Sequence, residues 1–426
     1  MGADTTPQRD PLYWSALIAL GFLALTWLRL TTPSKMFFDE IHYIPAARMM
    51  LTMAHPANAE HPLLGKEIIA AGIRLFGDNA LGWRVFSWIF GSIGLFAFGR
   101  ALWWASQRRF AALAGMLLLG TNFIWFIESR IAMLDMFMAA LAMIALWQLA
   151  AAVRRPGQGA RWRLAAAGLC LGLSLGAKWS VAPLMLLPGL SFLALKIRDN
   201  GARFLTARAG GPVPGITLIE AALWLGLLPL AAYWATYLPA FLYAKDAISP
   251  FAFIEHHRHM LDLQDSVKKL HPYRSVWYQW AANARAVWYL YENIDGAQRG
   301  VVLIGNPFTM LAGLPAVLWC LWAGLMRARR DALACALLYI AALGFWALTS
   351  KPIQFYYHYL LPGSFLMACL ALALDDLRAR GQQRLVWAVL ALAAAMFVWF
   401  HPIISAAPLA EGKMAFEKWM WLKSWR

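Results

Sequence analysis

The chain has 426 residues, of which 61% are hydrophobic and only 14% charged, with a formal net charge of +16. That balance excludes an ordinary soluble globular domain and indicates a polytopic membrane protein. The positive excess sits in short clusters between apolar runs, so it carries orientation information and does not mark a nucleic-acid surface.

About 20 apolar residues cross a bilayer core as a helix, and about eleven such stretches follow one another. They lie near 12–30, 80–103, 110–127, 131–152, 164–178, 181–196, 216–242, 300–325, 332–349, 358–374 and 385–402. The first is followed by Pro33, Ser34 and Lys35 instead of a small-residue cleavage site, so a retained helix is expected. The basic clusters are Arg100, Arg108 and Arg109; Arg154, Arg155, Arg161 and Arg163; Lys196, Arg198, Arg203 and Arg208; Arg327, Arg329 and Arg330; and Arg378, Arg380 and Arg384. With these inside, the spans alternate consistently, the N-terminus is cytoplasmic and the tail 403–426 is outside. Cys170, Cys320, Cys335 and Cys369 all fall in apolar spans, so no disulfide framework is indicated. The expectation is one all-α integral membrane domain over 1–426 with no appended soluble module.

Two outer segments are long, 31–79 and 243–299, and function belongs there. The first reads as two amphipathic helices, 40–53 and 62–76, with Asp39 placed to cap the first and Pro62 in the first turn of the second. Gly77 ends the second helix, and Asp78 or Asn79 starts the next span. Asp39 and Glu40 stand side by side at the membrane face. Neighbours on a helix point about 100° apart, so they suit two separate tasks better than one clamp. One task is accepting a proton from a hydroxyl. The other reading is an N-cap followed by a first-turn acid that favours the helix dipole. His42 falls on the same helix face as Asp39 or at the surface.

Arg84 lies roughly 6 to 9 Å inside the start of its span, where a guanidinium either snorkels or faces a polar cavity. Lys66 and Lys178 approach the same level from other elements, and three cations at one depth suit a lipid phosphate. Ser129 and Arg130 occupy a tight outer turn one helical turn before Asp135, which favours a structural Arg130–Asp135 ion pair, with Arg130's other donors open to a ligand. In the second loop Glu255, His256, His257 and His259 put histidines on different helix faces without a cysteine, so no metal site is expected. Trp277, Tyr278, Trp280, Trp288, Tyr289 and Tyr291 read as an interfacial belt.

Phe38-Asp39-Glu40-Ile41-His42-Tyr43 resembles the Asp-Glu-x-His motif of the protein O-mannosyltransferases, polytopic enzymes with the GT-C glycosyltransferase fold. His61-Pro62-Leu63-Leu64-Gly65-Lys66, Ser129-Arg130 to Asp135, and Gly176-Ala177-Lys178-Trp179 follow that family's motifs in order. So do His271-Pro272-Tyr273, Gly305-Asn306-Pro307 and the stretch Gln354-Phe355-Tyr356-Tyr357-His358-Tyr359-Leu360-Leu361-Pro362, which resemble motifs of the bacterial members. Leu63 replaces a proline of the usual element, and the lumenal module of eukaryotic members is lacking.

The resemblance implies a polyprenyl-phosphate-linked sugar, mannose by expectation, as donor, the Ser/Thr hydroxyl of an exported protein as acceptor, and inversion at the anomeric carbon. It implies Asp39 and Glu40 as the catalytic pair and Arg84, Lys66 and Lys178 at the donor phosphate. His42, His61, Arg130, Gln354, Tyr356 and His358 become candidate substrate contacts. No cofactor is expected, with divalent metal left open, and the location implied is the bacterial inner membrane with the site outside. The competing readings are a GT-C transferase acting on a lipid or glycan, as the lipid A-modifying enzymes do, and a lipid-linked sugar flippase. Against the flippase stand the structured outer loops, the lack of an internal repeat and polar groups gathered at one face, not the midplane.

Overall fold

The computed structural model describes residues 8–157, 159–266, 271–349, 351–410, 412 and 414–426. Parts of the second outer segment (267–270) and of the tail (411 and 413) thus lie outside the described residues. Helix α1 (Leu12–Trp27) leads into an outer segment that folds as α2 (Glu40–Thr52) and α3 (Leu64–Phe76), and α4 (Ala80–Ser106) crosses to the opposite face. The chain continues through α5 (Arg109–Gly120), the short α6 (Phe123–Glu128), α7 (Leu134–Arg154) and α8 (Ala160–Ala177). Six further helical stretches follow: Trp179–Arg203, Leu218–Leu242, Pro307–Met326, Arg330–Leu348, Tyr356–Ala379 and Gln383–Ile404. These six with α4 and α7 make eight helices long and apolar enough to cross a bilayer among the described residues. The protein is a multi-pass membrane protein. Eight of the eleven expected spans recur in order; of the other three, 12–30 and 110–127 form only the shorter α1 and α5, and 164–178 falls in α8, which carries Arg161 and Arg163 in its first turn.

Helices approach closely where side chains are small, since lipid supplies no hydrophobic force between them. A Cβ on Gly168 would stand 1.8 Å from the Trp224 carbonyl oxygen, and one on Gly172 would stand 2.2 Å from that of Pro229. These two glycines set α8 against Leu218–Leu242. That second helix opens into a wider π turn at Leu223–Leu227, just before Pro229, whose missing N–H removes a helix bond.

The all-α expectation needs one amendment. Val287–Ile294 (β1) and Ala297–Leu303 (β2) pair antiparallel, so residues 300–303 are strand and the span begins at Pro307. The reason is local: Asp295 and Gly296 both take positive φ, 50° and 74°, as a two-residue hairpin turn demands. Of the residues read as an interfacial belt, Trp288, Tyr289 and Tyr291 lie on β1, and Tyr289 and Trp280 are buried. The hairpin is tied to the first outer segment through Lys35–Glu292 at 2.6 Å and Ser34 Oγ–Asp295 at 2.6 Å. It therefore lies directly beside the acidic loop.

Candidate active site

The loop before α2 turns sharply at Phe38, which holds φ at 52° and stacks on Tyr289 with ring centroids 3.8 Å apart. The Tyr289 hydroxyl in turn donates to Glu128 Oε1 at 2.6 Å. Asp39 follows at the N-cap position, yet its side chain makes no capping bond and has no hydrogen-bond partner among the described residues. It is half-buried, and burial raises its carboxyl to about 6, with Asp135 adding to the rise and Lys178, His42 and Lys351 opposing it. The capping role is therefore not taken up. An unpaired carboxylate of elevated pKa is a group available to take a proton near neutrality.

Glu40 points elsewhere, as the helical 100° step requires. It is fully buried and receives Arg84 Nε at 2.7 Å, Arg84 Nη2 at 2.8 Å, and the backbone N–H groups of Phe37 and Ala132. Arg84 completes its set of five donors on the carbonyls of Leu30, Pro33 and Lys35. All five guanidinium hydrogens are thus committed inside the protein. Arg84, expected at a lipid phosphate, instead staples the entrance of the outer loop to α4.

Lys66 meets a similar fate. Its ammonium is buried under the carbonyls of Ala57 at 3.4 Å, Asn58 at 2.8 Å and His61 at 2.9 Å, which uses its three donors to close the turn between α2 and α3. Burial lowers it to about 7 despite Glu60 and Glu67 nearby. Of the three cations expected together, Lys178 alone does not spend its donors on backbone carbonyls. That residue, immediately after α8, donates to Asp135 Oδ2 at 2.6 Å and lies 4.6 Å from the Tyr357 ring centroid. Asp135 accordingly pairs with Lys178 and not with Arg130. Arg130 points back to the carbonyls of Thr26 and Leu28 and sits over Phe126.

A second available cation was not singled out from the sequence. Lys351, on the loop before Tyr356–Ala379, has no hydrogen-bonded partner for its ammonium among the described residues. Burial first, then Lys178, lowers it to about 8, while Asp135, Asp39 and Glu60 pull the other way. The only signal was its place three residues before the Gln354 motif. Lys351 lines an open cavity of about 430 Å³ with Glu60, His61, Gln264, His271 and Tyr357. Tyr357 also walls a tight crevice with Asp135, Ser180, Trp346 and His358.

The other expected contacts divide. His61 is on the cavity, its ring edge-on to Tyr43 and its pKa driven far below the usual range by burial and by Lys178, Lys351 and Lys66. His42 is exposed beside Asp39. His358 is buried on the crevice, its ring 3.9 Å from Trp346 and its Nε2 without a partner among the described residues. Gln354 turns its amide to the Trp346 and Lys351 carbonyls, holding the lysine's loop. Tyr356 is a scaffold residue, its hydroxyl 2.5 Å from Asn283 Oδ1 and 3.1 Å from Gly305 N. In the second loop His257 has both ring nitrogens engaged, by Tyr233 Oη and the Phe253 carbonyl, each at 2.6 Å. The described residues bring together no group of three His, Cys, Asp or Glu side chains set to hold a metal.

A helical membrane body with an acidic loop and lysines gathered beneath it at one face is the architecture of the GT-C glycosyltransferases. In fold the chain is similar to the S. cerevisiae protein O-mannosyltransferase Pmt1-Pmt2 complex bound to the sugar donor, with a TM-score of 0.80 over 96% of this chain and 92% of that one at 13% identity. It is also similar to ArnT from Cupriavidus metallidurans bound to undecaprenyl phosphate, with a TM-score of 0.60 over 92% of this chain and 66% of that one at 16% identity. The family models for dolichyl-phosphate-mannose-protein mannosyltransferase and for the C-terminal four-helix membrane region of protein O-mannosyltransferase match residues 76–244 and 251–425. The chain belongs to the protein O-mannosyltransferase family. It is 28% identical to a polyprenol-phosphate-mannose–protein mannosyltransferase of Mycolicibacterium smegmatis over 91% of this chain and 87% of that one. A protein of the same name from Corynebacterium glutamicum is 27% identical over 100% of this chain and 97% of its own length.

Proposed function

We propose that this chain moves mannose from a polyprenyl-phosphate donor to a serine or threonine hydroxyl of exported proteins, with inversion. The observation that carries the reading is the Asp39 carboxylate, free of hydrogen bonds, with the charges of Lys178 and Lys351 close enough to shift it. The acceptor oxygen attacks the anomeric carbon and gives its proton to Asp39. The bond from that carbon to the phosphate oxygen breaks on the opposite side of the sugar, and polyprenyl phosphate leaves. A lipid phosphate is already a fair leaving group, so the protein's task is to hold its charge and supply the base.

Lys178 holds the phosphate through the donors that Asp135 leaves free, and Lys351 does so from across the Tyr357 ring. Glu40 and Arg84 position the loop that carries Asp39. His61 and His42 face the acceptor. The site opens on the outer side of a bacterial plasma membrane, with the N-terminus and the arginine-rich ends of the helices in the cytoplasm. The names of the curated relatives favour a protein acceptor over a lipid or glycan.

The test is release of radiolabelled mannose from polyprenyl phosphate to a Ser/Thr peptide by the purified enzyme in detergent, where no compartments exist. Transfer by the wild type and its loss in Asp39→Asn support the proposal. A wild-type rate in Asp39→Asn removes the assignment.

A further inference from the structure

At the membrane face opposite Asp39, the ends of α4 and α7 and the start of α8 converge on Trp104, a buried indole. Two guanidinium groups sit on it: Arg155, 4.7 Å from the ring centroid, and Arg163, 5.9 Å from it. Two cations on one ring repel each other, and an anion between them relieves that repulsion. The same motif occurs at the outer face, where Arg48 and Arg84 each lie 6.0 Å from Trp83. There each arginine has its own acid, Asp78 for Arg48 and Glu40 for Arg84. At Trp104 neither has one among the described residues. Arg163 donates only to the Gln148 amide oxygen at 3.1 Å, and Arg155 makes no side-chain hydrogen bond.

Nearby arginines do find acids, as Arg100 does in Asp10, Arg108 in Asp375 and Arg161 in Glu220. The sequence offers none locally, because no aspartate or glutamate lies between Asp135 and Asp199. The surroundings are those of a lipid headgroup. Both arginines stand at the ends of membrane helices, Arg155 is exposed, and Trp162 and Val153 present 69% and 49% of their surface beside them.

We propose that the phosphate of an anionic phospholipid in the leaflet opposite the active site binds between Arg155 and Arg163, its acyl chains running along the α7–α8 seam. Planar guanidinium forks suit a phosphodiester, and basic pockets between membrane helices are known to select anionic headgroups.

The test is native mass spectrometry of the full chain in detergent, titrated separately with phosphatidylglycerol, phosphatidylcholine and inorganic phosphate. The wild type is expected to retain one phosphatidylglycerol at concentrations where phosphatidylcholine is lost. Each arginine replaced by glutamine should weaken that adduct about fivefold. An Arg155→Lys, Arg163→Lys variant, which preserves charge and guards against misfolding, should keep most of it, and mannose transfer in detergent should be unchanged throughout. Equal retention by wild type and the double glutamine variant, or equal retention of the two lipids, overturns the site. Displacement of the adduct by millimolar inorganic phosphate overturns the lipid as its source.

Discussion

Arg84 and Glu40 meet through two parallel hydrogen bonds, at 2.7 and 2.8 Å, with both side chains wholly shielded from solvent. Removing one partner strands the other's charge, a change that costs about 3–5 kcal/mol. Arg84→Ala and Glu40→Gln should therefore both lower the thermal midpoint of the purified protein by a large margin. Affinity of the surviving folded fraction for the lipid donor should change little. If Arg84→Ala unfolds at the wild-type temperature but loses donor binding, the arginine acts on the phosphate after all.

Asp39 is raised to about 6 and Lys351 lowered to about 8, which frames a pH window. Below about 6 the carboxyl keeps its proton and cannot accept another; above about 8 the amine loses the charge that holds phosphate. The expected kcat/KM profile is a bell with limbs near those values. Lys351→Arg should carry the alkaline limb upward and leave the acid limb in place. Movement of the acid limb alone would contradict the assignment.

Asp39→Asn should cut transfer by about 10²- to 10⁴-fold, the range of a general base, with donor binding retained. The measurement is single-turnover transfer beside equilibrium binding of the labelled donor.

Lys351→Ala should weaken donor binding by about 10- to 100-fold, the worth of a hydrogen bond to a charged group. Lys66→Ala should instead act through stability, since the Lys66 ammonium closes a turn of backbone carbonyls. Comparison of donor affinity and unfolding temperature for the two variants separates the roles.

Phe38 holds a left-handed backbone against the Tyr289 ring, one residue before Asp39. Tyr289→Leu should slow transfer by loosening that turn. Tyr289→Phe keeps the stacking but leaves the Glu128 carboxylate without its donor, so it should lower stability by about 1–3 kcal/mol with kcat nearly intact. Equal kinetic losses in the two variants would contradict this division.

Much of this was readable beforehand. The helices α2 and α3 begin and end within two residues of the expected 40–53 and 62–76, because apolar spacing and Gly77 are local signals. The depth of Arg84 was readable for the same reason, but the direction of its donors was not. Whether a cation faces a ligand or its own backbone depends on how the irregular stretches 30–35 and 57–61 curl, and no periodicity encodes that. The hairpin was hidden by its own apolar second strand, which reads as the start of a span. Lys351 escaped because a lone lysine at a helix mouth resembles an interfacial anchor until Asp39 and Lys178 are placed beside it.

Asn283, Gly305 and Tyr356 form one closed circuit, with Asn283 bonded to both the amide and the carbonyl of Gly305 and to the hydroxyl of Tyr356. The stretches around Gly305 and Tyr356, which look like independent signatures, are thus locked to each other through Asn283. A lineage that alters any one of the three has reason to rewrite the other two together, and a graft of one alone into a distant relative would arrive without its lock.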